Sequence, residues 1–432
     1  MTTTIFKKSL IAATIALATS QVHAAAFQLN EHSASGLGRA YAGEAAIADN
    51  AAVLARNPAA MTTFDKMAVS VSGTYIKPDV DVDGSIATPL GKVSASESGI
   101  APSAFVPASY FIQPLNDQWA WGIGLFSNYG LSTEYSKTFA AGAGAGDTEL
   151  LTLNINPNIA YRINEQFSIG AGINAVYGAA ELNRYAGIAS QTNPSMRVAH
   201  LKGDTWGFGW NVGTLYEVNE NHRFALTYRS QVDMSFDGDF QGTTSGIAGL
   251  QNGSPVFKTV DGNLKLDLPA QAEFAGYHRL NQQFAVHYSV NWTDWSAFKE
   301  LKATSSGCKD GTIVGQCLQK PENFKDSLRY SIGSTWYINP AWEARLGFAY
   351  DNSPIEAEYR SLSIPDSDRI WYSAGATYHI NPDMSVDFGM AYLDGKEVDV
   401  NEGLPKHDSA ARWKGTSHGN AFLASAQFNM KF

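Results

Sequence analysis

A serine-hydrolase motif, G-x-S-x-G, is matched by GTSHG at residues 415–419. In hydrolases this motif forms a sharp turn between a strand and a helix, and the turn exposes the serine hydroxyl. Here it stands just before the last strand-like stretch of the chain, so we expect a solvated loop. The 9 histidines include no H-E-x-x-H pair for zinc. We find no catalytic site and predict that the protein is not an enzyme.

Two further patterns could bind metal. DVDVDG, from Asp79, matches the first half of a calcium loop, but the twelfth position is Leu90 instead of Glu, so only weak cation binding in this loop remains open. Cys308 and Cys317 are too few for a zinc site and predict a structural disulfide in an exported protein.

A glycine-rich motif, GAGAGD, begins at Gly142. It has no strand–helix unit around it and predicts a loop tip, not a phosphate site. We predict no resident metal and no cofactor.

The first residues predict export. Lys7 and Lys8 precede a short apolar stretch, LIAATIALAT, and VHA forms a small-x-small cleavage site ending at Ala24. We therefore predict a signal peptide over residues 1–24. No later uncharged apolar run reaches the roughly 18 residues that a membrane helix needs, so the mature chain is predicted to be either soluble or a β-barrel. The full chain has an acidic net charge of −10, which offers no basic surface to a nucleic acid.

One short phrase recurs along the chain: an aliphatic residue and Asn, a few turn-forming residues, and a large apolar residue. It appears as LNDQW at Leu115, INEQF at Ile163, VNENHRF at Val218, LNQQF at Leu280, INPAW at Ile338 and INPDM at Ile380. Asn suits tight hairpin turns because it tolerates left-handed backbone. Apolar and polar residues alternate on both sides, as between residues 151 and 163, where the odd positions are apolar or Pro. This period of two predicts antiparallel strands joined by hairpins.

Long, polar, Gly-rich connections lie between these turns. They cover approximately residues 77–103, 130–148, 180–204, 237–261, 297–323, 351–368 and 394–418. Six short turns and seven long loops make fourteen strands. Short turns at one end and long loops at the other are typical of outer-membrane barrels, whereas a soluble sandwich would not separate loop lengths in this way. The sequence predicts an all-β fold, a transmembrane antiparallel β-barrel of 14 strands over residues 67–432.

The chain ends in FLASAQFNMKF, which alternates like a strand up to its last residue, Phe432. We expect this strand to pair with the first one, because lipid cannot satisfy the backbone groups of an open sheet edge. A terminal Phe also fits recognition by the barrel-assembly machinery of the outer membrane.

About forty mature residues precede the first predicted strand. Residues 25–66 are rich in Ala and Gly, show helix-sized steps and have no strand alternation. The lumen of a fourteen-strand barrel is too wide for its own side chains to fill. We therefore predict a small, partly helical N-terminal hatch that plugs the lumen. A flexible tail is disfavoured by its many apolar residues, which include Phe27, Leu37 and Tyr41.

This N-terminal stretch, FQLNEHSASGLGRAYAGEAAIADNAAVLARNPA, resembles the hatch of FadL-type proteins, the long-chain fatty-acid transporters of Gram-negative outer membranes. Asn57, Pro58 and Ala59 match the hallmark triplet of that family. The resemblance continues through SNYGLSTEY, AHLKGDTWGFGWN, LTYRS, LKATSS, SIPDSDRIWYSAG and the last strand, and so spans the mature chain.

The resemblance implies a binding site. Arg184 and Lys320 correspond to the two cations that meet the ligand carboxylate inside the lumen, and Phe27, Leu182 and Leu201 correspond to apolar residues around its tail. Two charges for a carboxylate and an apolar slot for a chain are what a fatty acid requires. Taken alone, each charged residue would be an ordinary lumenal or loop charge.

The resemblance also implies a gate. Gly130 corresponds to the position where the third strand kinks inward and opens the wall beside Asn57, Pro58 and Ala59. The expected function is passive uptake of long-chain fatty acids, with movement of the hatch and lateral exit through the wall. A channel for monoaromatic hydrocarbons in the same family and, at a greater distance, an outer-membrane lipase are the alternatives. The expected surroundings are outer-membrane lipid and lipopolysaccharide, and the expected state is a monomer.

Overall fold

The computed structural model of the protein describes residues 26–88, 91–190, 192–251, 254–402 and 413–432. The predicted signal peptide, residues 1–24, lies outside the described residues. One antiparallel sheet closes on itself into a barrel, and helices are few and short. The prediction of an all-β barrel with 14 strands is confirmed.

The β-segments follow one another in chain order. They are β1 (Ala68–Thr88), β2 (Gly91–Ser94), β3 (Ala104–Pro114), β4 (Trp119–Phe126), β5 (Gly130–Thr133), β6 (Thr148–Arg162), β7 (Phe167–Tyr185), β8 (Arg197–Asn219), β9 (His222–Arg229), β10 (Val232–Gly242), β11 (Ile247–Gln251), β12 (Ser254–Phe257), β13 (Thr259–Leu268), β14 (Gln271–Arg279), β15 (Phe284–Thr293), β16 (Glu300–Asp310), β17 (Ile313–Pro321), β18 (Ser327–Asn339), β19 (Trp342–Asp351), β20 (Arg369–Asn381), β21 (Met384–Gly395), β22 (Val398–Asn401) and β23 (Trp413–Lys431).

Fourteen wall strands arise from these segments. Nine are continuous, namely β1, β3, β6, β7, β8, β19, β20, β21 and β23, and five are interrupted, namely β4–β5, β9–β10, β13–β14, β15–β16 and β17–β18. The remaining segments, β2, β11, β12 and β22, lie in the long loops. Each wall strand pairs with its two neighbours, so the sheet needs no exposed edge.

The barrel closes between its first and last strands. β1 and β23 pair in register from Ala68 opposite Lys431 to Ile86 opposite Trp413. The alternation in the last residues of the sequence therefore belongs to a closing strand, as predicted. This long ladder satisfies the backbone groups that would otherwise face lipid.

The six predicted short turns all join neighbouring wall strands. The predicted long loops lie at the other end, but several are shorter than expected because strands extend into the predicted loop ranges. Much of residues 297–323 forms the β16–β17 hairpin, which holds the disulfide between Cys308 and Cys317. GTSHG lies inside β23 and DVDVDG inside β1, so placing these motifs in loops was wrong. Polar, Gly-rich composition hides strands whose backbone groups are satisfied by their neighbours.

Alternation places apolar residues on the outer wall and polar residues in the lumen. On β6, Ile159 is half exposed, whereas Thr152, Asn154, Asn156 and Asn158 are buried. The same pattern leaves large apolar side chains such as Ile173, Phe208 and Leu346 exposed on the outside. In the described part of the chain, no helix has the length and apolarity to cross a membrane.

Residues 26–67, here called the N-terminal segment, contain two short α-helices and two 3₁₀-helices and are almost entirely buried. The α-helices are α1 (Ala34–Leu37) and α2 (Glu44–Ile47), and the 3₁₀-helices are η1 (Ala51–Ala55) and η2 (Pro58–Thr63). The segment packs against strands on opposite sides of the barrel: α1 on β20 and β21, α2 on β9 and β14, and η2 on β6, β7 and β8. It therefore lies within the lumen.

Buried charges anchor the middle of the N-terminal segment. Arg39 pairs with Glu44 and Asp49, each at 2.7 Å, and Arg345 of the wall reaches Asp49 at 3.6 Å. Arg39 and Glu44 are both buried, and removing one partner of that pair leaves an uncompensated charge, which costs roughly 3–5 kcal/mol, whereas Asp49 is exposed. These contacts make the stretch from α1 to α2 the firmly held part of the segment.

Candidate functional site

All five residues that the resemblance implied for ligand binding line one small lumenal cavity. Phe27, Leu182, Arg184, Leu201 and Lys320 meet there. The wall is otherwise largely apolar, with Leu131, Leu150, Ala180, Leu264, Leu266, Phe298, Leu301 and Ile364 around Thr148, Glu149, Glu181, Glu322 and Ser363. The cavity holds about 50 Å³. A drug-sized ligand needs roughly 300 Å³ or more, so the site is closed and must widen to receive a long chain.

Arg184 is a buried cation without an acidic partner within the described ranges. It lies at the end of β7, is 7 % exposed, and donates to Ser363 Oγ at 2.8 Å and to the carbonyl of Asn183 at 2.8 Å. It also donates to Thr148 Oγ1 at 3.2 Å and to the carbonyl of Asp147 at 3.1 Å. Its partners are therefore neutral oxygens. A buried charge held in this way gains most from an anion.

Lys320 is the second cation, and it is already occupied. Its Nζ lies 3.5 Å from Glu322 and 3.6 Å from Glu402. Both carboxylates are 2 % exposed. An incoming carboxylate would have to compete with them for Lys320. The two cations therefore differ: Arg184 is unpaired among the described residues, and Lys320 is held by internal acids.

Glu322 is the group of this cluster that titrates near neutrality. It lies between β17 and β18, outside both strand segments. Burial raises the pKa of Glu322 to about 7, against the opposing pull of Lys320. Below that pH the carboxyl is neutral and no longer competes for Lys320. The charge balance of the cavity thus depends on pH in the physiological range.

Phe27 closes the cavity from the side of the N-terminal segment. Its ring contacts Trp295 at a centroid distance of 4.5 Å and Phe298 at 5.5 Å, both edge to face. Phe27 is 1 % exposed. Such aromatic pairs contribute about 0.5–1.5 kcal/mol each beyond burial. A ligand tail of similar apolarity could take the place of this ring.

The barrel wall is incomplete beside the third strand. β3 pairs with β4 only from Ser109 to Pro114, while its other edge follows β1 from Ala104 to Ile112. Within the described residues, no ladder joins residues 104–108 to β5. Between β4 and β5 the chain has one residue more than the facing stretch of β6, so residues 127–129 bulge. The bulge follows the point where the β3–β4 ladder stops, and the stretch of β3 without a described partner on this side is here called the gap.

The start of the N-terminal segment covers this gap from inside. Gln28 and Tyr129 form a β-bridge, in which Leu29 N donates to the carbonyl of Asn128 at 2.7 Å and Gly130 N to that of Phe27 at 2.8 Å. The gap is therefore sealed by backbone hydrogen bonds and not by a wall strand.

His32 joins the two sides of the gap. Its carbonyl accepts from Tyr110 Oη of β3 at 3.0 Å and from Ser72 Oγ of β1 at 3.2 Å, and its ring Nε2 meets the carbonyl of Ser127 at 3.1 Å. Because that carbonyl only accepts, Nε2 carries the proton. The residues from Phe27 to His32 thus form a lid over the opening.

The other implied gate residues occupy two places. Gly130 is the first residue of β5, directly after the bulge. Asn57 caps η2 and donates to the carbonyls of Ala45 and Thr214, so the Asn57-Pro58-Ala59 triplet packs on the wall at β7 and β8. A Cβ atom on Gly213 would lie 2.1 Å from Asn57 Oδ1, and one on Gly170 2.4 Å from Ala59 N. These two glycines permit the close approach of the triplet to the wall.

The sequence reasoning missed Glu322, Glu402 and His32. Lys320 and Glu322 are two positions apart at the end of a strand, a spacing that puts both side chains on one face and could have been noticed. Glu402 comes from a distant loop, so its place depended on the fold. Among the described residues, no group of three or more His, Cys, Asp or Glu side chains could hold a metal ion.

Comparison with known proteins places this geometry in context. The family described as outer membrane protein transport protein (OMPP1/FadL/TodX) matches residues 15–432. A long-chain fatty acid transport protein of Escherichia coli O6:H1 is 44 % identical over 456 residues, covering 99 % of each chain. Outer membrane protein P1 of Haemophilus influenzae is 38 % identical over 435 residues, covering 92 % of each.

Solved structures share the fold. A Pseudomonas aeruginosa FadL homologue superposes with a TM-score of 0.81 at 19 % identity, covering 94 % of this chain and 100 % of the other. The Pseudomonas putida toluene transporter TodX gives a TM-score of 0.68 at 16 % identity, covering 95 % and 100 %. This chain therefore shares its barrel fold with both proteins.

Proposed function

Because this chain belongs to the outer membrane protein transport protein family (OMPP1/FadL/TodX), we propose that it takes up long-chain fatty acids by passive diffusion. It is an outer-membrane transporter for hydrophobic compounds, as the family and the barrel establish. The observation that carries the finer proposal is Arg184, a buried cation with only neutral partners in the described structure, at one end of an apolar cavity. That arrangement fits an acid with a long apolar tail.

Capture begins on the apolar tips of the third and fourth long loops. In the fourth loop, Ile247 and Leu250 are 60 % and 74 % exposed. Each methylene group that leaves water contributes about 0.8 kcal/mol, so these side chains suit adsorption of a chain before its head group is bound. The carboxylate then reaches Arg184 and Lys320.

Entry of the ligand displaces the lid, residues 27–32. The lid is held mainly by hydrogen bonds and by the ring of Phe27, whereas α1 and α2 are anchored by the buried Arg39–Glu44 pair and by the pairing of Arg39 with Asp49. The weaker part therefore moves and the anchored part remains as a plug. This division explains how one segment blocks the lumen and still responds to a ligand.

Release follows sideways through the gap beside β5. A tail of about sixteen carbons that passes from the cavity into the bilayer is never hydrated, and hydration would cost about 0.8 kcal/mol per CH₂. Residues 57–59 stay packed on the wall, and Gly130 lies at the edge of the opening. Directionality then comes from consumption of the fatty acid inside the cell.

The location of the protein in the outer membrane determines its proposed surroundings. The protein functions as a monomer among outer-membrane lipid and lipopolysaccharide, and the barrel-assembly machinery recognises its strand ending in Phe432. Phe432 lies at the free end of β23, where its N–H donates to the carbonyl of Met67 at 3.0 Å. Diffusion of a ligand through the protein needs no cofactor.

The proposal is tested by expressing the full chain in cells that lack fatty-acid uptake and supplying labelled oleate or labelled toluene at limiting concentration. We expect oleate uptake to be restored and toluene uptake to be unchanged. Restoration of toluene uptake alone would replace the proposal by a monoaromatic channel. Hydrolysis of a chromogenic ester by the purified protein would instead indicate a lipase.

Ligand affinity is expected to fall as the pH rises through about 7. Glu322, whose pKa burial raises to about 7, is neutral below this pH and leaves Lys320 to the ligand; above it, the ionised Glu322 competes. A decrease of about tenfold between pH 6 and pH 8 corresponds to a coupling of about 1.4 kcal/mol. The measurement is binding of a long-chain alkyl sulfonate, which stays ionised throughout and so reports only the protein.

Glu322→Gln provides the control for this prediction. The amide keeps the shape of the side chain but cannot ionise, so its affinity should be high and nearly constant from pH 6 to pH 8. Glu402, the other acid near Lys320 at 3.6 Å, remains in place in this variant. A variant that keeps the pH dependence of the wild type would assign that dependence to another group.

A further inference from the structure

Two histidines on neighbouring strands bring their ring nitrogens together on the outer wall. His222 of β9 and His278 of β14 stand directly opposite each other, and their Nδ1 atoms are 3.1 Å apart. His222 is four residues from the exposed Leu226 and His278 four residues from the exposed Phe274, so both histidines lie on the outer face of the sheet. They are at the short-turn end of the barrel. This pair has no part in the proposed transport path.

The spacing of the two nitrogens suits one metal ion. Nitrogen ligands at 2.0–2.1 Å from a tetrahedral zinc ion lie roughly 3.3 Å apart, and adjacent ligands of a square-planar ion about 2.9 Å apart. The observed 3.1 Å falls between these values. Since antiparallel pairing fixes both Cβ positions, little side-chain freedom would be lost on binding.

A neighbouring tyrosine orients one of the rings. His278 Nε2 lies 3.3 Å from Tyr288 Oη, and the edge of Phe224 packs on the same ring at 5.2 Å. When Nε2 donates to Tyr288, His278 Nδ1 accepts a hydrogen bond from His222 Nδ1, and both Nδ1 atoms can bind one ion once the proton of His222 moves to its own Nε2. Metal-binding histidines commonly have their second nitrogen fixed in this way by an outer hydrogen bond.

We propose that His222 and His278 form a two-nitrogen site for a divalent transition-metal ion. Imidazole nitrogens favour copper(II), nickel(II) and zinc, with copper bound most tightly, and give no site for magnesium or calcium. No third His, Cys, Asp or Glu in the described part of the chain completes the set, so solvent fills the other positions. Bound metal links β9 to β14 at the rim.

The test uses the full mature protein, purified in detergent without a histidine tag and titrated with Cu²⁺ by calorimetry. The wild type is expected to bind one ion, with nitrogen hyperfine splitting from two imidazoles in its electron paramagnetic resonance spectrum. His222→Asn and His278→Asn should each weaken binding by at least about tenfold, and Tyr288→Phe by about tenfold, as for lost outer hydrogen bonds. His418→Asn, an exposed histidine on β23, is the matched control and should bind like the wild type.

Circular dichroism confirms that each variant remains a folded barrel before its titration is used. The proposal is overturned if the wild type shows no saturable binding, or if both asparagine variants retain its affinity and spectrum.

Discussion

Replacing Arg184 by Met should weaken the binding of oleate by about 10- to 100-fold, the loss expected when a hydrogen bond to a charged group, about 1.5–3 kcal/mol, is removed. Arg184 is 7 % exposed and forms no ion pair in the described structure, with Glu402 acting on it only at longer range, so a ligand carboxylate can pair with it directly. Methionine replaces the apolar stem of the arginine side chain and removes its charge. Binding is measured with labelled oleate on the purified protein.

Two comparisons separate loss of charge from loss of packing. Oleyl alcohol has the same tail without a charge, so Arg184→Met should change its affinity little. Arg197→Met is the matched control, because Arg197 begins β8 nearby in the sequence but is exposed and donates to Gln241. Equal losses for acid and alcohol would mean that Arg184 only supports the cavity, and unchanged oleate binding would remove it from the site.

The barrel could be predicted from the sequence because its rules are local. The recurring Asn turns, such as those at Ile163 and Leu280, and the alternation around them determine strand number and direction. Strand length could not be read in the same way. The stretch over residues 297–323 has loop-like composition, yet β16 and β17 pair there beyond the membrane, and only tertiary pairing satisfies their backbone groups.

The candidate site also combines residues that the sequence could predict with contacts that depend on the fold. Arg184, Lys320 and Phe27 were placed by resemblance, and they lie around one cavity. The pairing of Lys320 with Glu402 joins the end of β17 to the turn after β22, and no local pattern encodes that contact. The gap beside β5 depends on a single extra residue between β4 and β5 relative to β6, and the sequence of one strand cannot show the register of its neighbour. Local patterns predict the barrel, whereas the gap in its wall depends on the register between neighbouring strands.

The largest effect is expected from tying the lid to the wall. In a Gln28→Cys/Tyr129→Cys variant, a disulfide would join the two residues of the β-bridge that covers the gap. Their neighbours exchange the hydrogen bonds, so this is a non-hydrogen-bonded pair with Cα atoms about 4.5 Å apart, within the range of disulfides. Oxidised protein should lose oleate transport almost completely, because Phe27 cannot leave the cavity and the lid cannot uncover the gap.

Reduction provides the control within the same molecule. Loss of the Tyr129 hydroxyl, which donates to the carbonyl of Pro269 at 2.6 Å, affects both forms equally, so dithiothreitol should restore transport in proteoliposomes if the lid must move. Wild-type protein treated in the same way accounts for the native disulfide of Cys308 and Cys317. If mass spectrometry shows complete cross-linking while transport continues, the ligand leaves by another route. A block relieved by reduction requires instead that the lid residues, and not the anchored helices behind them, move for each fatty acid that passes.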